Sequence, residues 1–267
     1  MLGQRFFPVG TRRHERAFEL AKRLDPVEEL HPVSWYGVWA LFAAGMAAHH
    51  GVINRYVYWD FTWTLYGLGG LLVWSLGLST LLHRRGWYDP TGPLTRRTGI
   101  AEMALAVIAF LSGWGRPTGL TFIYLLGYLA AFGALRLGYA ISLEERDGFK
   151  QIPASARHRA KVGGGTLLYG LAMGIGIGLD DPVLSTAAAV GLPFFLVALA
   201  DAHARHVQRL QFYPLFALVG FIGMREGWFF VVSLVWFYFW RYYYYFRLGI
   251  IHPSFGVDPD EPLSQTA

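Results

Sequence analysis

The sequence predicts an all-α fold: a polytopic integral membrane helix bundle of about eight transmembrane helices, with both termini in the cytoplasm. Three observations predict it. The first is composition. Of 267 residues, 54% are hydrophobic and 17% aromatic, while only 15% are charged; a soluble domain carries about 25% charged residues. Mean hydropathy is +0.33. The second is the recurrence of apolar runs of spanning length, roughly 20 residues for a hydrocarbon core about 30 Å thick. The third is an alternation of positive charge between successive loops.

Residues 1–32 read as a cytoplasmic N-terminal segment. Within it, Arg12 to Leu30 sets Phe18, Leu20, Ala21 and Leu24 among charges, the pattern of an amphipathic helix lying on the inner leaflet. The polar start and the length of the first apolar run argue against a cleavable signal. Residues 33–250 form the membrane domain. Its spans read Val33–Ile53, Asp60–Leu82, Thr98–Trp114, Thr118–Ile141, Val162–Leu179, Val183–Ala200, Leu210–Met224 and Gly227–Phe246. The fifth span repeats a small residue every fourth position, at Gly170, Gly174 and Gly178, a spacing that lets a second helix approach closely; the alanines at 187–189 have the same use. The last span ends in "WFYFWRYYYYFRLGIIHPSF", read as an interfacial aromatic belt. Residues 251–267 form a polar, proline-containing cytoplasmic tail.

Charge supports this arrangement. With the N-terminus inside, the cytoplasmic segments hold Arg5, Arg12, Arg13, Arg16, Lys22, Arg23, Arg84, Arg85, Arg96, Arg97, Arg146, Lys150, Arg157, Arg159, Lys161, Arg205, Arg209, Arg241 and Arg247. Arg55, Arg116 and Arg225 fall outside, and Arg136 lies within a span. The net charge of +5 is therefore a topology signal of a multi-pass protein of the cell (plasma or inner) membrane, not a nucleic-acid footprint. The chain has no cysteine, which excludes disulfides and thiolate metal sites.

Charge inside a span is expensive and points to function by default. Glu102 and Arg136 sit about one turn from the cytoplasmic ends of consecutive spans, so they could meet at one depth. Such a pair is either a structural ion pair or the floor of a cytoplasm-facing cavity. His49 and His50 end the first span. Asp201, His203 and His206 follow the sixth, at offsets that share no helical face but that a loop could gather. No HExxH, GxSxG, P-loop or paired ExxH pattern appears. The last spans hold no lysine for a retinal Schiff base.

The stretch "LSTLLHRRGWYDPTGPLTRRTG", Leu78 to Gly99, then carries a resemblance. The order of span, polar loop and proline-containing turn resembles the UbiA-type polyprenyl transferase superfamily, whose loop carries N-D-x-x-D-x-x-x-D. Leu81, Leu82, Arg85 and Asp89 fall on its four key positions. Asp201 falls on the first acidic position of the family's second motif. Tyr139, Arg136 and Lys150 resemble its tyrosine-and-basic loop. The resemblance implies an isoprenoid lipid as ligand, with Asp89, Asp201, Glu102 and Arg136 placed for chemistry. Arg84, Arg85, Arg96, Arg97, Lys150, Tyr139, His203 and His206 would bind the head group or diphosphate. The family clamps the diphosphate through magnesium, which needs hard oxygen ligands; leucine at 81 and 82 and arginine at 85 supply none. No metal ligand is assigned, and the aspartate motifs are degenerate.

Two readings from other classes stand beside this one. The chain could be a non-catalytic subunit or scaffold with a protein partner in a membrane complex, marked by a lipid-exposed aromatic face. It could instead be a transporter or another lipid enzyme, although the inverted repeats of transporters are not visible.

Overall fold

The computed structural model describes residues 5–30, 32–85, 95–146, 149–151, 156–201 and 203–249, with 33–34, 81–85, 144–146, 149–151 and 156–157 described by backbone alone. The described chain is all-α apart from one small hairpin. Its helices are α1 (Arg12–Lys22), α2 (Asp25–Glu28), α3 (Tyr36–Ile53), α4 (Thr64–Arg85), α5 (Arg96–Trp114), α6 (Gly119–Tyr139), α7 (Ala156–Gly178), α8 (Pro182–Ala200), α9 (Ala204–Arg225) and α10 (Gly227–Leu248). A 3-10 turn, Pro32–Trp35, leads into α3, and β1 (Glu144–Arg146) pairs antiparallel with β2 (Phe149–Gln151) after α6.

Each predicted span falls on one helix from α3 to α10. Among the described residues, α6, His158–Gly178 of α7, and α8 are long and apolar enough to cross a membrane. Two boundaries differ from the sequence reading. The seventh helix of this series begins at Ala204, six residues before Leu210, because His203 accepts a hydrogen bond from the Arg205 amide and caps the polar turn. The amphipathic segment stops at Lys22 rather than Leu30. Pro26, which has no N–H to continue a ladder, opens the separate α2.

Helices α6 to α9 form an antiparallel meander in which each helix packs extensively on the next. Helix α3 packs on α5 through glycine. A Cβ on Gly45 would lie 2.0 Å from the Phe110 carbonyl oxygen, and one on Gly113 would lie 2.0 Å from that of Phe42. Only glycine permits this backbone contact. The predicted glycine stripe of α7 is a correction: Gly170, Gly174 and Gly178 meet open space. The close approach in α7 is at Gly176, whose Cβ would lie 2.6 Å from the Ser185 amide nitrogen of α8. Regular spacing marked the wrong face: Gly176 lies two residues from Gly174 and Gly178, on the opposite side of α7, where α8 crosses.

Helix α4 joins the bundle lightly. Trp39 donates its indole N–H to Ser75 (3.1 Å), Trp74 donates to the Ser112 hydroxyl (3.2 Å), and Tyr66 donates to the Ser112 carbonyl (2.6 Å). Helix α10 meets α3 through tryptophans, with Trp39 and Trp236 ring centroids 4.6 Å apart.

Candidate lipid-binding site and a buried charge cluster

One end of the bundle holds most of the residues selected from sequence. Helix α5 starts there. Its N-cap, Thr95, accepts from the Thr98 amide (3.2 Å) while the Thr98 hydroxyl accepts from the Thr95 amide (2.9 Å). This reciprocal capping fixes the first turn and leaves Arg96 and Arg97 exposed. Further along, Glu102 meets Arg136 of α6. The Arg136 Nε donates to Oε2 at 2.8 Å and Nη2 donates to Oε1 at 3.1 Å. Both side chains are largely buried, at 15% and 19% exposure, so this two-pronged contact is worth more than a surface pair.

The end of α6 is capped by its neighbours. Lys161 of α7 donates to the Ala140 carbonyl. Gln211 of α9 donates to the carbonyls of Gly138 (3.1 Å) and Ile141 (3.0 Å). These contacts satisfy carbonyls that a helix end leaves unpaired, and they hold Arg136 in register. Tyr139 points outward and is exposed.

Beyond Arg96, one side of α5 stands open as a shallow apolar surface. It is formed by Gly99, Ile100, Met103, Val107 and Ile108, with Thr95 and Arg96 at one end. The surface is apolar throughout its length, and Thr95 to Ile108 spans ~20 Å of helix.

The acid and histidines after α8 come partly together. Asp201 lies 3.3 Å from the His206 Nε2, and the rings of His203 and His206 are 5.9 Å apart. His203 spends its Nδ1 on the Arg205 amide (3.2 Å). Asp89 lies outside the described residues, as do the side chains of Arg84, Arg85 and Lys150. Magnesium does not fit what is described. Among the described residues no group of three His, Asp or Glu side chains is placed to hold a metal ion, Glu102 gives both oxygens to Arg136, and Asp201 is engaged by His206. No step through a metal is derived.

No protein-family model, curated protein or solved structure matches the chain.

The opposite end holds a cluster that the sequence reading missed. Arg225, the last residue of α9, is fully buried. It donates to the carbonyls of Ala47 (3.2 Å) and Arg55 (3.1 Å), and it lies 3.7 Å from Asp181. Gly51 makes the room, since a Cβ there would sit 2.0 Å from Nη1. Asp181 caps α8 through the amides of Val183 (3.0 Å) and Leu184 (3.4 Å), and it accepts from the Tyr128 hydroxyl (2.9 Å). The next residue, Glu226, is also buried. It lies 2.6 Å from the His50 Nδ1 and accepts from the Trp228 indole at 2.9 Å.

Backbone ties close this end. Trp59 donates to the Met224 carbonyl (2.7 Å), Asp60 to that of Arg225 (3.1 Å), and Gly227 to that of Asp60 (3.0 Å). Trp59 and Asp180 both take left-handed backbone angles, φ 57° and 54°, which cost energy outside glycine. The Trp59 amide bond and the Arg55–Asp180 ion pair hold those residues in place. The sequence carried a signal for the cluster: "DD" at 180–181 and "RE" at 225–226 both interrupt apolar sequence at helix junctions. Read as loop charge, they gave no sign of burial.

Proposed function

We propose that this chain is a multi-pass membrane protein that binds an isoprenoid-type lipid, in a layout like that of the UbiA-type prenyl transferases. In this reading helices α3 to α10 are eight spans, and both termini lie on the cytoplasmic side of the cell membrane. The apolar tail lies along α5, and the head group meets Arg96 and Arg97. The open side of α5 carries the reading: an apolar surface about 20 Å long with an arginine at one end fits a long apolar chain bearing an anionic or polar head. The positive charge at the Arg136 end supports the orientation. The reading is of binding rather than prenyl transfer, since both Glu102 oxygens are engaged by Arg136.

The test is mass spectrometry of lipids that co-purify in mild detergent, compared with bulk membrane. Wild-type protein should enrich an isoprenoid lipid. Met103→Glu, which puts a charge in the middle of the apolar surface, should lose it, and Arg96→Gln with Arg97→Gln should reduce it. Bulk phospholipid alone in the wild-type preparation sinks the proposal.

A second reading, a subunit of a membrane complex, is favoured by α4. Its contacts with the bundle are few, and Leu65, Leu72, Val73 and Leu76 stand exposed. A stoichiometric protein partner in gentle pull-downs, lost in Leu72→Ser/Leu76→Ser, would support it.

A further inference from the structure

We infer that the N-terminal arm is a docking surface for anionic phospholipid, held in position by the end of α10. The arm has two faces. His14, Phe18 and Ala21 recur at helical spacing and meet α10: the His14 ring lies 5.7 Å from that of Tyr245, and the Arg247 guanidinium lies 4.8 Å from the Phe18 ring. Ala21 joins Trp240 and Tyr243 in a small core of its own. Asp25 fastens the arm. It accepts from the Arg247 Nε (2.8 Å) and Nη2 (2.7 Å) and from the Tyr243 hydroxyl (2.9 Å). Tyr245 donates to the Phe7 carbonyl at 2.8 Å.

The other face is basic. Arg12, Arg16 and Arg23 follow one another at offsets of four and seven, so they share one side of the helix. All three are exposed, and among the described residues none of them forms an ion pair. Arg13 and Lys22 are exposed at its flanks; Glu19 lies within the stripe, three residues after Arg16 and four before Arg23, and Glu15 lies at its edge, so the face carries five basic groups against two acids. Apolar side chains stand exposed on the same arm: Val9 at 69%, Leu20 at 62% and Phe6 at 54%.

That combination selects the occupant. A polyanion in water would meet the arginines and leave Val9, Leu20 and Phe6 wet. A bilayer surface takes both, apolar side chains below the head groups and guanidinium groups at phosphate depth. The aromatic end of α10, Tyr242 to Phe246, suits the interface where such an arm would lie. Zwitterionic head groups offer no net charge to match the stripe, whereas anionic ones do.

The experiment is hydrogen–deuterium exchange on the full chain in two nanodiscs, phosphatidylcholine alone and phosphatidylcholine mixed with phosphatidylglycerol. Amides of residues 12–23 should exchange about fivefold or more slowly in the anionic disc, the effect of one basic residue at a charged surface. High salt should remove the difference. So should Arg12→Gln/Arg16→Gln/Arg23→Gln, whose α3–α10 amides should exchange as in wild type, which shows that it folds. Equal exchange in the two discs overturns the proposal. So does slow exchange in both that neither salt nor the variant alters, since α10 alone would then order the arm. Slowing by a soluble polyanion such as heparin, with none by phosphatidylglycerol, overturns it in favour of an aqueous partner.

Discussion

The two ends of the bundle handle charge in opposite ways. At one end Arg225, Asp181 and Glu226 are removed from solvent and ringed by donors, acceptors and opposite charge. At the other, Arg96 and Arg97 stand exposed beside an apolar surface of α5, and the ion pairs of Glu102 with Arg136 and of Asp25 with Arg247 keep some exposure. A buried charge that keeps its partner is neutral or mildly costly, and one that loses it is severely so. The first end therefore behaves as a fastening, and the second has groups to spare for a ligand.

Breaking the fastening should have the largest effect. Arg225→Met strands Asp181 in the interior and should cost about 3–5 kcal/mol. Thermal unfolding in detergent reads this directly, and adding Asp181→Leu should restore part of the loss. An Arg225→Met melting point equal to wild type would falsify the fastening role. Glycine gives the next contrast. Gly45→Leu drives a side chain into the Phe110 carbonyl and should cost about 1–3 kcal/mol or more. Gly170→Leu points into open space and should leave the same melting curve unmoved.

At the ligand end the effects shrink. Glu102→Gln removes one charge of a largely buried pair and should cost about 2 kcal/mol. A double-mutant cycle with Arg136→Ala should return that coupling, and a coupling of zero would make the contact incidental. Smallest is the arm. Hydrogen bonds from Arg247 hold the Asp25 carboxyl below its ordinary range, outweighing its partial burial. A depressed carboxyl contributes docking strength above its unfolded pKa of about 3.9 and loses it as pH falls through the lower folded value. Arm protection should persist at neutral pH and fade only in acid. Asp25→Asn should abolish that acid dependence, and an unchanged acid profile in the variant would assign it to another group.

The legible part of this fold was the part written in apolar length. Eight runs of hydrophobic residues fall on eight helices, and among the described residues three of these are long and apolar enough to cross a membrane. Helix ends were less legible. The polar turn from Ala204 to Arg209 is helical although it is not apolar: hydropathy reports depth in the membrane, and hydrogen bonding decides where the helix begins. The contact of Glu102 with Arg136 followed from placing two spans side by side. The burial of Arg225 did not, because it depends on a space at Gly51 and a capping carboxylate at Asp181, which are far apart in sequence. The α7 glycines show the same limit: spacing identifies a face, and only the neighbouring helix decides which face is used.

The stitching of Trp59 and Asp60 to the turn between α9 and α10 has a consequence for traffic. With that loop sewn to the junction beside the paired charges, this end of the bundle is closed by backbone bonds as well as by charge, whereas the apolar surface of α5 lies along the side of its helix. On the proposed reading, a lipid held along α5 would arrive by diffusing within the leaflet, and its partition into the membrane would set its working concentration.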